Sequence, residues 1–87
     1  MRNRKENLMP LSEDELNELD NKILDVLADG RATPTLLKRI FEERGTEVSR
    51  QYVNQRLKRL SEHDHIENLF DTGVYELLTD PRKNHDA

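Results

Sequence analysis

Between Arg50 and Leu60 the chain reads Arg-Gln-Tyr-Val-Asn-Gln-Arg-Leu-Lys-Arg-Leu, without a carboxylate. Val53, Leu57 and Leu60 stand at i, i+4 and i+7, the spacing of one buried helical face. With that face inward, the 100° step turns Gln51, Asn54, Gln55 and Lys58 outward, and Arg50, Tyr52, Arg56 and Arg59 fall on or near the borders. The chemistry such a surface can do is hydrogen-bond recognition. Asn and Gln pair with adenine in two-point fashion, and Arg and Lys approach the acceptors of guanine. Arg50, Gln51, Asn54, Gln55 and Lys58 are therefore the expected base-reading residues. An ordinary solvated face has the same period, but solvated stretches elsewhere in the chain mix in acids (Glu13, Asp14, Glu18, Asp25) and this one does not.

A second group suits phosphates. Thr33, Thr35, Thr46 and Ser49 sit at expected helix starts, where hydroxyls and unpaired backbone N–H groups can hold an anion. Plain capping accounts for Thr33 and Ser49 equally well. Lys38, Tyr52, Arg56 and Arg59 complete the expected backbone-contacting set, with Arg31 and Arg39 as further cations, although solubility alone explains Arg31, Lys38 and Arg39 as readily and Tyr52 also fits the edge of a core. His63-Asp64-His65 suggests a metal, yet structural zinc needs four ligands and the chain has no cysteine, so a polar turn without metal is expected. No nucleophile–base pairing, phosphate-cradling glycine loop or paired-carboxylate motif stands out, and the chain reads as a binding protein without a cofactor or small-molecule ligand, not an enzyme.

The elements that must position these residues are legible from caps and periods. Ser12 with Glu15 has capping-box spacing, Leu11 and Leu16 that of a hydrophobic staple, and Leu16, Leu19, Ile23, Val26 and Leu27 form a stripe closed by Gly30. A first helix over about 13–29 follows. Thr33-Pro34 opens a second helix with Leu36, Leu37, Ile40 and Phe41 inward, and Gly45 ends it. Ser49 caps a third, from about Arg50 to Glu62. The period then changes: residues 66–70 and 74–78 read as short strands joined by Asp71-Thr72-Gly73, a three-residue hairpin link. The expected fold is mainly α with a small β-hairpin, a winged helix-turn-helix of three helices plus wing. It occupies residues 11–80, between a flexible N-terminal arm (1–10) and a flexible tail (81–87).

Composition permits this. Eighty-seven residues with 33% hydrophobic content suit one small domain, and no stretch approaches the roughly 20 apolar residues of a membrane span. The polar N-terminus lacks a signal peptide's apolar core, so a cytoplasmic protein is expected. The net charge of −4 hides an uneven distribution: residues 1–30 carry −4, residues 31–60 carry +5 and residues 61–87 carry −5. A basic middle favours double-stranded DNA as partner. One small module covers little DNA, so a homodimer is expected, with Leu8, Met9, Leu11 and Leu24 as its interface because the main stripe of the first helix leaves them over. Capping a monomer's core is the other use for those four.

The order Leu19-Asp20, Ile23-Leu24, Leu27, Arg31-Ala32-Thr33-Pro34, Ser49, Tyr52-Val53, Arg56-Leu57, Leu60, Ile66, Gly73, Tyr75, Leu77 and Thr79 resembles small archaeal winged-helix regulators, above all those of haloarchaea and their phage repressors. It spans about residues 16–80. The resemblance implies a sequence-specific transcriptional regulator, in the first instance a repressor. A halophilic host would also explain the acidic ends and, weakly, nine Arg against five Lys. Two departures stand out: that family usually places Gly between the third helix and the wing where this chain has His63-Asp64-His65, and a wing entering a minor groove usually offers Arg or Lys where this tip is the short, acidic Asp71-Thr72-Gly73. The acidic ends and wing also fit another class, a winged helix that docks proteins through its acidic surfaces.

Overall fold

The computed structural model describes residues 9–83. Three helices, α1 (Glu18–Asp29), α2 (Pro34–Glu43) and α3 (Arg50–Glu62), precede a two-stranded antiparallel sheet, β1 (Ile66–Asn68) and β2 (Tyr75–Leu77). No helix among the described residues is long and apolar enough to cross a membrane.

The start of α1 departs from the sequence expectation. Ser12 and Glu15 do form their capping box, with Ser12 N–H donating to Glu15 Oε1 at 2.9 Å, but it closes only a single 3-10 turn (Glu13–Glu15). Leu16 is extended, and a second reciprocal box takes over: Asp20 N–H donates to Asn17 Oδ1 at 2.8 Å and Asn17 N–H to Asp20 Oδ2 at 2.9 Å. With both boxes satisfied, the break at Leu16 leaves no cap donor stranded, and it lets Leu11 and Leu16 reach the core separately. Leu11 is buried beside Leu19, Ile23, Leu24 and Leu27.

At the other helix ends the expectations hold. Thr33 Oγ1 accepts from Leu36 N–H at 3.0 Å, with Pro34 at the first helical position. At the end of α2, Gly45 takes φ 87° while its N–H bonds Glu42 O and the next N–H, from Thr46, bonds Phe41 O, the paired 5→2 and 6→1 bonds of a Schellman motif. The end of α3 repeats it without glycine. Asp64 sits at φ 64°, its N–H on Ser61 O and His65 N–H on Leu60 O. Aspartate thus fills the left-handed slot, a conformation its short polar side chain tolerates.

Leu37 and Phe41 of α2 and Val53, Leu57 and Leu60 of α3 are buried with the α1 residues and Ile66 in one core. Leu36, expected inward, is 46% exposed; Leu37 and Phe41 fill that side of the core, leaving the neighbouring turn outside. The hairpin is shorter and its link longer than expected. Pairing stops at Asn68–Tyr75, and Leu69–Asp71 forms a 3-10 turn in which Phe70 (φ 51°) and Asp71 (φ 58°) are left-handed before Gly73 (φ 87°). Local bonds end the ladder: Asn68 Oδ1 accepts from Gly73 N–H at 2.8 Å, and Leu69 O accepts from the Thr72 hydroxyl at 2.7 Å. Phe70 is carried into solvent at 93% exposure. On its other side β2 exchanges two hydrogen bonds between Tyr75 and Ala32, so the segment between α1 and α2 lies along the sheet.

Pro81 and Arg82, expected in a flexible tail, pack on the domain. Pro81 is buried and Arg82 grips Asp80 through Nε and Nη2, each at 2.9 Å, while Nη1 reaches Asp25 at 2.9 Å and the carbonyl of Asn21 at 3.2 Å. These carboxylates hold the Arg82 guanidinium well above its ordinary pKa. Residues 84–87, and residues 1–8 of the expected arm, lie outside the described residues.

Candidate nucleic-acid interface

Ser49 is extended and its Oγ accepts from Tyr52 N–H at 3.0 Å, which fixes the first turn of α3. From there three stripes run along the helix. Val53, Leu57 and Leu60 are fully buried. Gln51, Asn54, Gln55 and Lys58 are exposed, as their spacing requires, and none makes a hydrogen bond or ion pair through its side chain with another described residue. Glu62, one turn past Lys58, is the first carboxylate on that face.

The third stripe borders α1. Tyr52, Arg56, Arg59 and His63 stand at i, i+4, i+7 and i+11, and each faces the segment that leads into and begins α1. Tyr52 Oη accepts from Asn17 Nδ2 at 2.8 Å. Arg56 holds the fully buried Asp20 carboxylate in a fork, Nε to Oδ1 at 2.8 Å and Nη2 to Oδ2 at 2.6 Å, and those bonds raise its pKa further. Arg59 lies near enough to Glu15 to help lower that carboxyl's pKa, after the larger effect of the bond from Ser12 N–H, and Arg59 Nε is buried. His63 Nδ1 donates to Met9 O at 2.6 Å. Arg56 is thus held against the protein by the buried Asp20 carboxylate, while Tyr52, 39% exposed, and the half-buried Arg59 lie along the same edge.

The remaining expected phosphate contacts divide. Thr33 is used as a cap and Ser49 likewise. Lys38 is paired with Glu42 one turn on, and the exposed Arg31 with Glu76 at 2.7 Å. Thr46 is half-buried in the turn between α2 and α3. Thr35 is exposed at the start of α2, and Arg50 Nη1 donates to its hydroxyl at 3.4 Å, so the starts of α2 and α3 lie side by side. Arg39 follows Thr35 by one turn and is exposed. Thr35 and Arg50 therefore lie together at the start of the amide face.

Of the expected dimer residues, Leu11 and Leu24 are 3% and 0% exposed and belong to the core, because α1 packs on both α3 and β2 and so buries a wider stripe than one side requires. Met9 is 72% exposed, and Leu8 lies outside the described residues. His63 and His65 are both committed to the main chain. His65 is 1% exposed; Leu11 N–H donates to its Nε2 at 3.0 Å and its Nδ1 lies 2.9 Å from Thr79 O. An N–H partner on one nitrogen and a carbonyl on the other require the neutral ring with the proton on Nδ1.

Sequence reasoning missed Asn17 and Asp20, which organise the whole α1–α3 edge. The signal was present: Asn17-x-x-Asp20 has cap-box spacing, and Asp20 interrupts the apolar stripe between Leu19 and Ile23.

Comparison of the chain with protein-family models, with curated proteins and with solved structures finds no match.

Proposed function

We propose that the protein is a winged helix-turn-helix regulator that binds double-stranded DNA in a sequence-specific manner, α3 lying in the major groove. The observation that carries this reading is the unoccupied amide and lysine face of Gln51, Asn54, Gln55 and Lys58, side by side on a helix whose other two sides are taken. A groove-reading helix needs polar side chains unclaimed by the protein itself, together with a tight connection to a helix that crosses the backbone. Here α2 supplies that partner, with Thr35, Arg39 and Arg50 placed to hold phosphates. The Ala32–Tyr75 pairing beside β2 and the hairpin after α3 suit the winged variant. Repression by occupying a promoter needs no further domain. Binding as a homodimer to two half-sites would compensate for the small footprint of one module, using a surface other than Leu11 and Leu24.

Fluorescence anisotropy with operator-length duplexes tests the reading. Arg39 and Arg50, each neutralising one phosphate, give a slope of log K against log salt of about −2 per protomer. Absent or salt-independent binding overturns it.

A second reading has one observation in its favour. The hairpin presents Phe70 at 93% exposure amid Glu67, Asp71 and Glu76, which suits a protein partner better than a phosphate backbone. Phe70→Ala that abolishes capture of a protein and leaves DNA affinity untouched would favour docking.

A further inference from the structure

The residues left free on α3 differ in kind from those the sequence offers. Four cations lie between Arg50 and Leu60. Arg56 is locked on Asp20, Arg59 is turned to the α1 edge beside Glu15, and Arg50 leans over the start of α2 onto Thr35. What remains along the outward stripe is Gln51, Asn54, Gln55 and Lys58, three carboxamides and one ammonium.

Resting on the DNA-binding reading above, we propose that this face selects adenine: the half-site is a core of about four consecutive base pairs with adenines opposite Gln51, Asn54 and Gln55, and guanine is tolerated or favoured only opposite Lys58. A carboxamide presents one acceptor and one donor group in a plane, matching the N6 donor and N7 acceptor of adenine; guanine offers two acceptors at that edge and would leave the amide oxygen facing another oxygen. Guanine is the natural target of an arginine fork; the fork of Arg56 is closed on Asp20, and Arg59 lies on the α1 side near Glu15 rather than on this stripe. Lys58 remains, a point charge able to approach guanine O6 and N7 without a fork's planar selectivity.

The length of the core follows from helix geometry. Gln51 to Lys58 is seven residues, about 10.5 Å of helix axis, which matches about three base-pair steps of 3.4 Å. Positions i, i+3, i+4 and i+7 form a single stripe, so the four side chains address neighbouring pairs rather than opposite sides of the groove. Neutral amides add no attraction to phosphate, and discrimination therefore rests on base identity more than on the general affinity for duplex.

The test is selection of duplexes from a randomised pool by the full chain at low salt, followed by titration of the winner with 7-deazaadenine in place of adenine. That substitution removes N7 from the major groove and leaves Watson–Crick pairing in place. The expected result is an enriched run of adenines and about a fivefold or greater loss of affinity for each deaza position under an amide, with Asn54→Ala flattening the preference at one of them. A selected core without adenines, or indifference to the deaza substitution, overturns adenine selection while leaving DNA binding intact. A pool that yields no retained duplex at low salt overturns both.

Discussion

Arg56 and Asp20 form a forked, two-bond ion pair across the α1–α3 interface, with the carboxylate fully buried and the guanidinium side chain 21% exposed. Asn17 N–H supplies a third bond to the same carboxylate. The pair decides what α3 can offer to a ligand. It draws one arginine inward, and the amides on the next stripe are left outside.

Removing one partner leaves the other charge stranded. Arg56→Ala is expected to cost about 3–5 kcal/mol in a urea melt, and Asp20→Ala a similar amount, whereas replacing both by apolar residues of like size costs less than either. Arg56→Lys loses the fork and is also destabilising. A melt unchanged by Arg56→Ala together with a large loss of DNA affinity would return Arg56 to the DNA-contacting set.

Tyr52 tests the same edge more gently. Tyr52→Phe deletes the bond from Asn17 and is expected to lower stability by about 0.5–1.5 kcal/mol without changing the affinity of the folded protein for duplex. Weaker binding at unchanged stability would mean that the hydroxyl meets a phosphate instead.

His65 makes the fold sensitive to acid. Burial is the main cause that lowers its pKa from the ordinary 6.5, opposed by the bond to Thr79 O. Folded protein therefore binds fewer protons than unfolded chain as pH falls through that ordinary value. The stability held above about pH 6.5 declines below it, until the folded ring itself takes a proton, by at most about 1.4 kcal/mol per pH unit for this one group. His65→Gln keeps an acceptor for Leu11 N–H and does not titrate, so the slope between pH 6.5 and 5 should flatten. An equal slope in wild type and variant would refute the assignment.

Asp64 closes α3 in the left-handed region at φ 64°. There Gly has no Cβ clash and Ala does, so Asp64→Gly is expected to melt above Asp64→Ala by about 1–2 kcal/mol. Equal stability would mean that the backbone relaxes out of this conformation.

Much of this was legible in the sequence for local reasons. Thr33-Pro34, Gly45 and Ser49 fix helix ends through their own backbone and hydroxyl chemistry, and the 53–57–60 spacing fixes the buried face of α3 whatever packs upon it. The fate of the border residues depends on a distant partner. Arg56 looks like any surface arginine until Asp20, 36 residues away, is placed beneath it, and Arg31 meets Glu76, 45 residues away. Leu24 lies off the stripe of a single contact surface, whereas α1 packs on two. In the hairpin, the Asn68 side chain stopped the ladder early, which alternation of apolar residues does not encode.

The central claim is that the outward stripe of α3 is the DNA-reading surface, and backbone amide chemical shifts on titration with duplex locate that surface directly. The account predicts perturbations concentrated over residues 49–58 and at the start of α2 around Thr35, weakening as salt is raised. Shifts confined to the acidic 13–25 segment or to the hairpin around Phe70, with residues 51–58 unmoved, would contradict it.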